Sequence, residues 1–169
     1  GIPELDALLA GVADIKVTAR RDEAGSFVLD ELAVKAPRLL VDASGSLRAD
    51  RTRLRFNVDL PNLAIVVPEL PGPAGIEGVV QTTGGDWEVD TFVTGPGGMQ
   101  ADVEGTVAPD GSSADLSIAG SAPLALANSR LAPNIASGQA RFDLALRGAP
   151  SLRALGGTVQ TQGARFTLP

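Results

Sequence analysis

The stretch Arg53-Leu54-Arg55-Phe56-Asn57-Val58-Asp59-Leu60 decides which fold class this chain is predicted to adopt. Apolar and polar side chains alternate in it without interruption, and successive side chains of a β-strand point to opposite faces. Leu54, Phe56 and Val58 would therefore share one face, while the charged and amide side chains would share the other. The stretch predicts a β-strand with one dry face and one wet face.

The same alternation recurs along the chain. Apolar residues alternate with more polar ones at Ile15 and Val17, Trp87 and Val89, Leu116 and Ile118, and Phe142, Leu144 and Leu146. Further strand candidates are 27–34, 39–47, 63–67, 79–83, 101–107, 159–162 and 165–168. Turn-forming residues lie between many of these segments, for example at 84–85, 96–98 and 109–111. We expect an all-β fold of about a dozen mostly antiparallel strands.

One segment has a helical alternative. Leu5, Leu8, Leu9 and Val12 recur at helix spacing within Pro3 to Val12, so a short N-terminal helix competes with irregular structure there.

The length of 169 residues predicts a single domain covering 1–169. Within it, a shift of 60 residues places Ala43–Leu47 on Val103–Val107 without a gap. This weak similarity predicts repeats over approximately 16–75 and 76–135, with a partial repeat over 136–169.

The composition excludes several classes of function. The chain has no Cys and no His, which removes thiol nucleophiles, imidazole bases and the usual zinc ligands. A net charge of −6 disfavours nucleic acid, because phosphate binding requires a surplus of Lys and Arg. We predict no catalytic residues, no metal site and no cofactor.

Two rows of charged residues have alternative interpretations. Asp86, Glu88 and Asp90 share one side of a strand, where they form either a solvated face or, less favourably, a site for a hard cation. Arg51, Arg53 and Arg55 form a basic stripe that either meets an anionic partner or, as we favour, pairs with carboxylates across strands.

The continuous apolar face leaves two structures open. In a sandwich it would meet a second sheet and become an ordinary core, whereas in a bent sheet that does not close it would line a groove. Its predicted lining residues are Leu54, Phe56, Val58, Trp87, Val89, Leu116, Ile118, Phe142, Leu144 and Leu146.

The C-terminal part of the sequence resembles a known family. The run from Ser137 to Gly148 reads S-G-Q-A-R-F-D-L-A-L-R-G, and it is followed by Ala149-Pro150-Ser151-Leu152, L-G-G-T-V from Leu155, and A-R-F-T-L-P ending at Pro169. This cadence resembles the C-terminal region of the TamB family, the inner-membrane subunits of the translocation and assembly module, and of their AsmA-like relatives. The resemblance is clearest over residues 100–169.

The resemblance implies a half-open β-roll, a taco-shaped groove with an apolar interior, in which the ten lining residues face phospholipid acyl chains. It implies a periplasmic piece of a longer protein that is anchored in the inner membrane and carries lipid toward the outer membrane. The implied partner is a TamA-like outer-membrane β-barrel protein. Two alternatives are a chaperone-like groove for unfolded outer-membrane protein strands and a structural β-solenoid spacer with a closed core.

Overall fold

The computed structural model describes residues 12–23, 25–48, 51–82 and 85–168, and it places ten β-strands in one antiparallel sheet. The strands follow one another in chain order, each bonded to the next, and the sheet is open rather than closed. Their bounds are β1 Asp14–Arg21, β2 Phe27–Ala36, β3 Leu39–Leu47, β4 Thr52–Leu60, β5 Ala74–Thr82, β6 Trp87–Gly95, β7 Met99–Val107, β8 Ala114–Pro123, β9 Ile135–Gly148 and β10 Leu155–Thr167. The predicted all-β, antiparallel fold is confirmed.

Three of the predicted strand segments differ from the structure. The segment 63–67 begins as a 3₁₀ turn, Leu63–Ile65, because the Asn62 side chain accepts the Ala64 N–H at 3.1 Å and bends the chain. The segments 159–162 and 165–168 largely merge into β10, with a shift of register between Gln162 and Arg165. The helix considered over Pro3 to Val12 lies, apart from Val12, outside the described residues.

The up-and-down order gives the sheet two different ends. The turns after β1, β3, β5, β7 and β9 lie at one end, which we call the turn end. The other end, the crossing end, carries two longer connections, 61–73 and 124–134. The second of these contains a 3₁₀ turn, Leu124–Ala127, and a one-turn helix α1, Asn128–Leu131.

The register of the strands sorts the side chains by polarity. Residues directly opposite each other in an antiparallel pair lie on the same face of the sheet. Phe56 is opposite Gly78, which is opposite Thr91, and the same row continues through Val103 and Ile118 into β9. We call the side that carries Phe56 the apolar face and the other side the polar face.

Glycines on the apolar face allow neighbouring backbones to approach closely. Gly45, Gly105 and Gly157 have φ values of 159°, 141° and 136°, and a Cβ at each would overlap the backbone of the adjacent strand. The residues opposite them are Leu54, Leu116 and Leu144. Glycine inside a strand often marks such an approach or a bend of the sheet.

Strand positions repeat along the chain with the sixty-residue spacing. β2 and β6 begin at Phe27 and Trp87, and β3 and β7 begin at Leu39 and Met99. Gly45 and Gly105 occupy equivalent places in β3 and β7, and the same type of backbone atom, a carbonyl oxygen, excludes a side chain at both.

We expect Gly105→Ala to lower the free energy of unfolding by about 2 kcal/mol or more, because a positive φ and an overlap with the Asp115 carbonyl oxygen disfavour any Cβ there. The matched control is Gly156→Ala, since Gly156 lies in β10 with open space around the position of its Cβ. Urea unfolding measures both variants, and equal stability of the two would contradict the assigned backbone.

Candidate functional site

The structure brings all ten predicted lining residues to the apolar face. One row runs from Leu54 through Val80, Val89 and Gly105 to Leu116 and Leu146. The next row toward the crossing end holds Phe56, Ile118 and Leu144, and the row after it holds Val58 and Phe142. Trp87 lies at the turn end of the same face, opposite Val107.

These side chains are only half-buried. All ten have intermediate exposure, and no side chain of the described residues is fully enclosed. The buried hydrophobic core residues are five alanines and Leu39, each at least 2% exposed. In a β-sandwich, the face of a sheet that packs against the second sheet buries its Leu and Phe side chains completely. Within the described residues, the apolar face has no second sheet against it.

Several residues of this face were not among the predicted lining set. Val41, Ile76, Val80, Val93 and Val103 lie in the same rows. Their alternation is harder to recognise in the sequence, because Val79 and Phe92 place apolar side chains on the polar face beside them. Only the register of each strand with its neighbours separates the two sets.

The crossing end of the apolar face is covered near β2 to β4. Ala36 and Leu39 are buried there, at 7% and 8% exposure, and Ile65 packs against them together with Leu60 and Val58. The connection after β4 is held in place by hydrogen bonds. Asn62 Oδ1 accepts the N–H groups of Ala64 and Gly72, both at 3.1 Å, so the 3₁₀ turn folds Ile65 onto the sheet.

The second connection lies at the same end. Asn128 Oδ1 accepts the Ala136 N–H at 2.8 Å, which fixes α1 to the start of β9. Arg130 and Glu69 form an ion pair at 3.0 Å that joins the two connections. Because both side chains are well exposed, this pair contributes little to stability. Its geometry places the two connections side by side.

The polar face carries the charged rows. A cavity of about 560 Å³ lies over β2 to β6, with Asp42, Arg55, Glu77 and Asp90 in its lining. Within the described ranges, no group of three or more carboxylates is arranged to hold a metal ion. Glu88 instead accepts a hydrogen bond from Gln81 at 2.5 Å.

Among the described residues, the arginine stripe does not form the cross-strand ion pairs that we favoured. The ion pairs of the described residues join Lys16 to Glu31, Arg20 to Asp30, Arg130 to Glu69 and Arg147 to Asp115. None of them includes Arg51, Arg53 or Arg55, so the expected cross-strand pairing of this stripe is absent from the part of the chain that the structure describes.

One carboxyl group has a shifted pKa. Hydrogen bonds from the Ser112 side chain and backbone lower the pKa of Asp110, which lies in the turn between β7 and β8. The shift belongs to the geometry of this turn, away from the apolar face.

Comparisons of the chain with protein families, with curated proteins and with solved structures found no match. Among the described residues, no helix combines the length and the apolar character that crossing a bilayer requires.

We expect Leu39→Ala to cost about 2 to 4 kcal/mol of unfolding free energy, because Leu39 is enclosed at the crossing end. Leu146→Ala should cost about half as much or less, since this side chain is half-exposed on the open part of the face. Urea unfolding of the two variants tests the difference. A larger loss for Leu146→Ala would mean that a second layer covers the middle of the apolar face.

Proposed function

We propose that this chain is a segment of a TamB-like β-groove that shields the acyl chains of phospholipids during their transfer between the inner and outer membranes. The observation that carries the proposal is the continuous apolar face from β4 to β9, whose ten large side chains remain half-exposed. Soluble proteins rarely leave an apolar surface of this extent without a ligand or partner.

The dimensions of this face suit an acyl chain. A strand of nine residues spans about 30 Å, and the six strands from β4 to β9 at about 4.8 Å spacing extend over roughly 24 Å. Each methylene group transferred from water to such a surface contributes about 0.8 kcal/mol. The wall consists mostly of Val, Leu, Ile and Ala, so a hydrocarbon chain would meet similar contacts at successive strands and could slide along them.

The cellular setting of the proposal rests on the family resemblance of the C-terminal sequence. In this proposal the chain lies in the periplasm as part of an inner-membrane protein, acts without catalysis, and supports outer-membrane biogenesis with a TamA-like β-barrel partner.

A second candidate function is chaperone-like binding of unfolded outer-membrane protein strands. It is favoured by β10, a thirteen-residue edge strand whose residues after Leu155 are exposed, including Val159 at 61% and Phe166 at 66%. The described part of this edge has no proline and no lysine, two of the residues that usually block the addition of another strand. A spacer with a closed core is supported less well, because the apolar face is half-exposed.

We expect Leu144→Arg to remain folded and to lose the phospholipid that co-purifies with the unmodified chain, because a guanidinium on the apolar face interrupts the hydrocarbon surface. The matched control is Asp143→Arg, whose side chain lies on the polar face one residue away and should leave bound lipid unchanged. Val58→Arg and Asn57→Arg form a second such pair in β4. Mass spectrometry of the purified proteins measures the lipid.

Two outcomes would reject lipid binding. One is the absence of phospholipid from the unmodified chain, and the other is equal lipid in Leu144→Arg and Asp143→Arg. Crosslinking from β10 to an unfolded β-barrel hairpin in the absence of lipid would then favour the chaperone function.

A further inference from the structure

The apolar face differs between its two ends. At the crossing end, the row through the termini of β3 to β8 contains Leu39, Leu60, Ala74, Met99 and Ala122, and none of these five carries a hydrogen-bonding side chain. This end is also the one where Ile65 covers the face.

The turn end carries a different row, which we call the rim. Its members in β1 to β6 are Arg21, Phe27, Leu47, Thr52, Thr82 and Trp87. The rim combines a cationic side chain, two aromatic side chains, one aliphatic side chain and two hydroxyl groups. The Thr82 hydroxyl accepts the Thr52 N–H at 3.1 Å, which brings these two side chains together across β4 and β5.

Arg21 is a cation on the otherwise apolar face. Its guanidinium lies over the Phe27 ring, 4.7 Å from the ring centroid, and both residues are exposed. Arg48 and Arg51 lie at the same end of the sheet, where the Arg48 N–H donates to the Arg51 carbonyl at 3.0 Å. Among the described residues, no carboxylate forms an ion pair with these three arginines.

Two carboxylates near Arg21 have other partners. Asp22 accepts the Ser26 N–H at 2.8 Å within the turn after β1, and Asp30 pairs with Arg20 on the polar face. Arg21 is therefore the cation that the rim itself carries on the apolar face, whereas the register of β3 with β4 places Arg48 and Arg51 on the polar side. The guanidinium of an arginine attracts phosphate and binds it by a planar pair of donors.

We infer that a phospholipid bound to this face lies with its phosphate at the rim and its acyl chains directed toward the crossing end. This inference rests on the proposed lipid-binding function and adds the orientation of the lipid. The rim supplies a cation, hydroxyl groups and an amphipathic indole for the headgroup region, while the terminal row of the sheet at the crossing end supplies only hydrocarbon from β3 to β8. The same division of polarity places tryptophan at the interface of a bilayer.

Trp87 tests the orientation directly, because it is the single tryptophan of the chain and lies in the rim. Two phosphatidylcholines are compared, one spin-labelled on the acyl chain near the glycerol and the other near the terminal methyl group. The label near the glycerol should quench Trp87 fluorescence more strongly. Equal quenching, or stronger quenching by the methyl-end label, would overturn the orientation.

A reciprocal variant moves the tryptophan to the crossing end. Trp87→Phe combined with Met99→Trp should reverse the order of quenching, because Met99 lies on the same face in the row that is wholly apolar. An unchanged order would overturn the orientation. The comparison in the unmodified chain needs no substitution, so it decides the question even if this variant fails to fold.

The role of charge is tested with Arg21→Gln. The unmodified chain should bind phosphatidylglycerol more tightly than diacylglycerol, and Arg21→Gln should weaken phosphatidylglycerol binding by about threefold, the effect of roughly one exposed ion pair. The control is Arg141→Gln, which removes the same charge from the polar face of β9 and should leave both affinities unchanged.

The results separate the two proposals. Equal affinity for both lipids in all three proteins would overturn the phosphate site at the rim and leave lipid binding intact. Binding of neither lipid by the unmodified chain would reject the proposed function itself.

Discussion

The antiparallel register is the constraint on which the rest of this structure depends. Side chains alternate between faces at every residue, so a slip of one position in any strand would exchange its apolar and polar sets. In β2 the apolar residues Leu29 and Leu32 are separated by an odd number of positions, which would place them on opposite faces of a regular strand. An irregularity between them keeps both on the apolar face, opposite Gly45 and Ala43. Asp30 and Glu31 consequently reach cationic partners on β1.

The second constraint is the absence of a partner layer for the apolar face among the described residues. In a single sheet, apolar side chains are buried by packing against one another and against neighbouring glycines. At the ends of the sheet, the connections between strands also bury them. Gly45 and Gly105 allow the backbones of the adjacent strands to approach closely opposite Leu54 and Leu116. The connections at the crossing end complete the burial of Ala36 and Leu39, and the middle of the face remains half-exposed. The resulting surface combines a folded scaffold with a large unfilled apolar area, which is the property expected of a surface that holds hydrocarbon.

Most charged side chains lie away from the apolar face. The acidic side chains that give the chain its negative charge lie mainly on the polar face and in the turns, where water solvates them. Arg21 is an exception to this separation, since it is a cation on the apolar face beside an aromatic ring. The apolar face therefore has a direction, from a hydrocarbon end that the connections cover to an amphipathic end at the turns. A uniform face would bind an amphiphile in either orientation.

The sequence by itself determined the fold class and the common face of the ten predicted lining residues. Both depend on the two-residue period of a strand, which is a local property, and for that reason all ten predicted lining residues lie together. Segments 63–67 and 159–168 were less predictable from their apolar residues. In the first, the Asn62 side chain accepts a backbone N–H and bends the chain, and in the second, the strand continues past a register shift beside Gly163. Tertiary structure alone decided whether the face is open, which end is covered and where Arg21 lies. Those properties depend on contacts between residues far apart in the chain, such as Ile65 with Leu39 and Arg130 with Glu69, and no periodicity in the sequence encodes them.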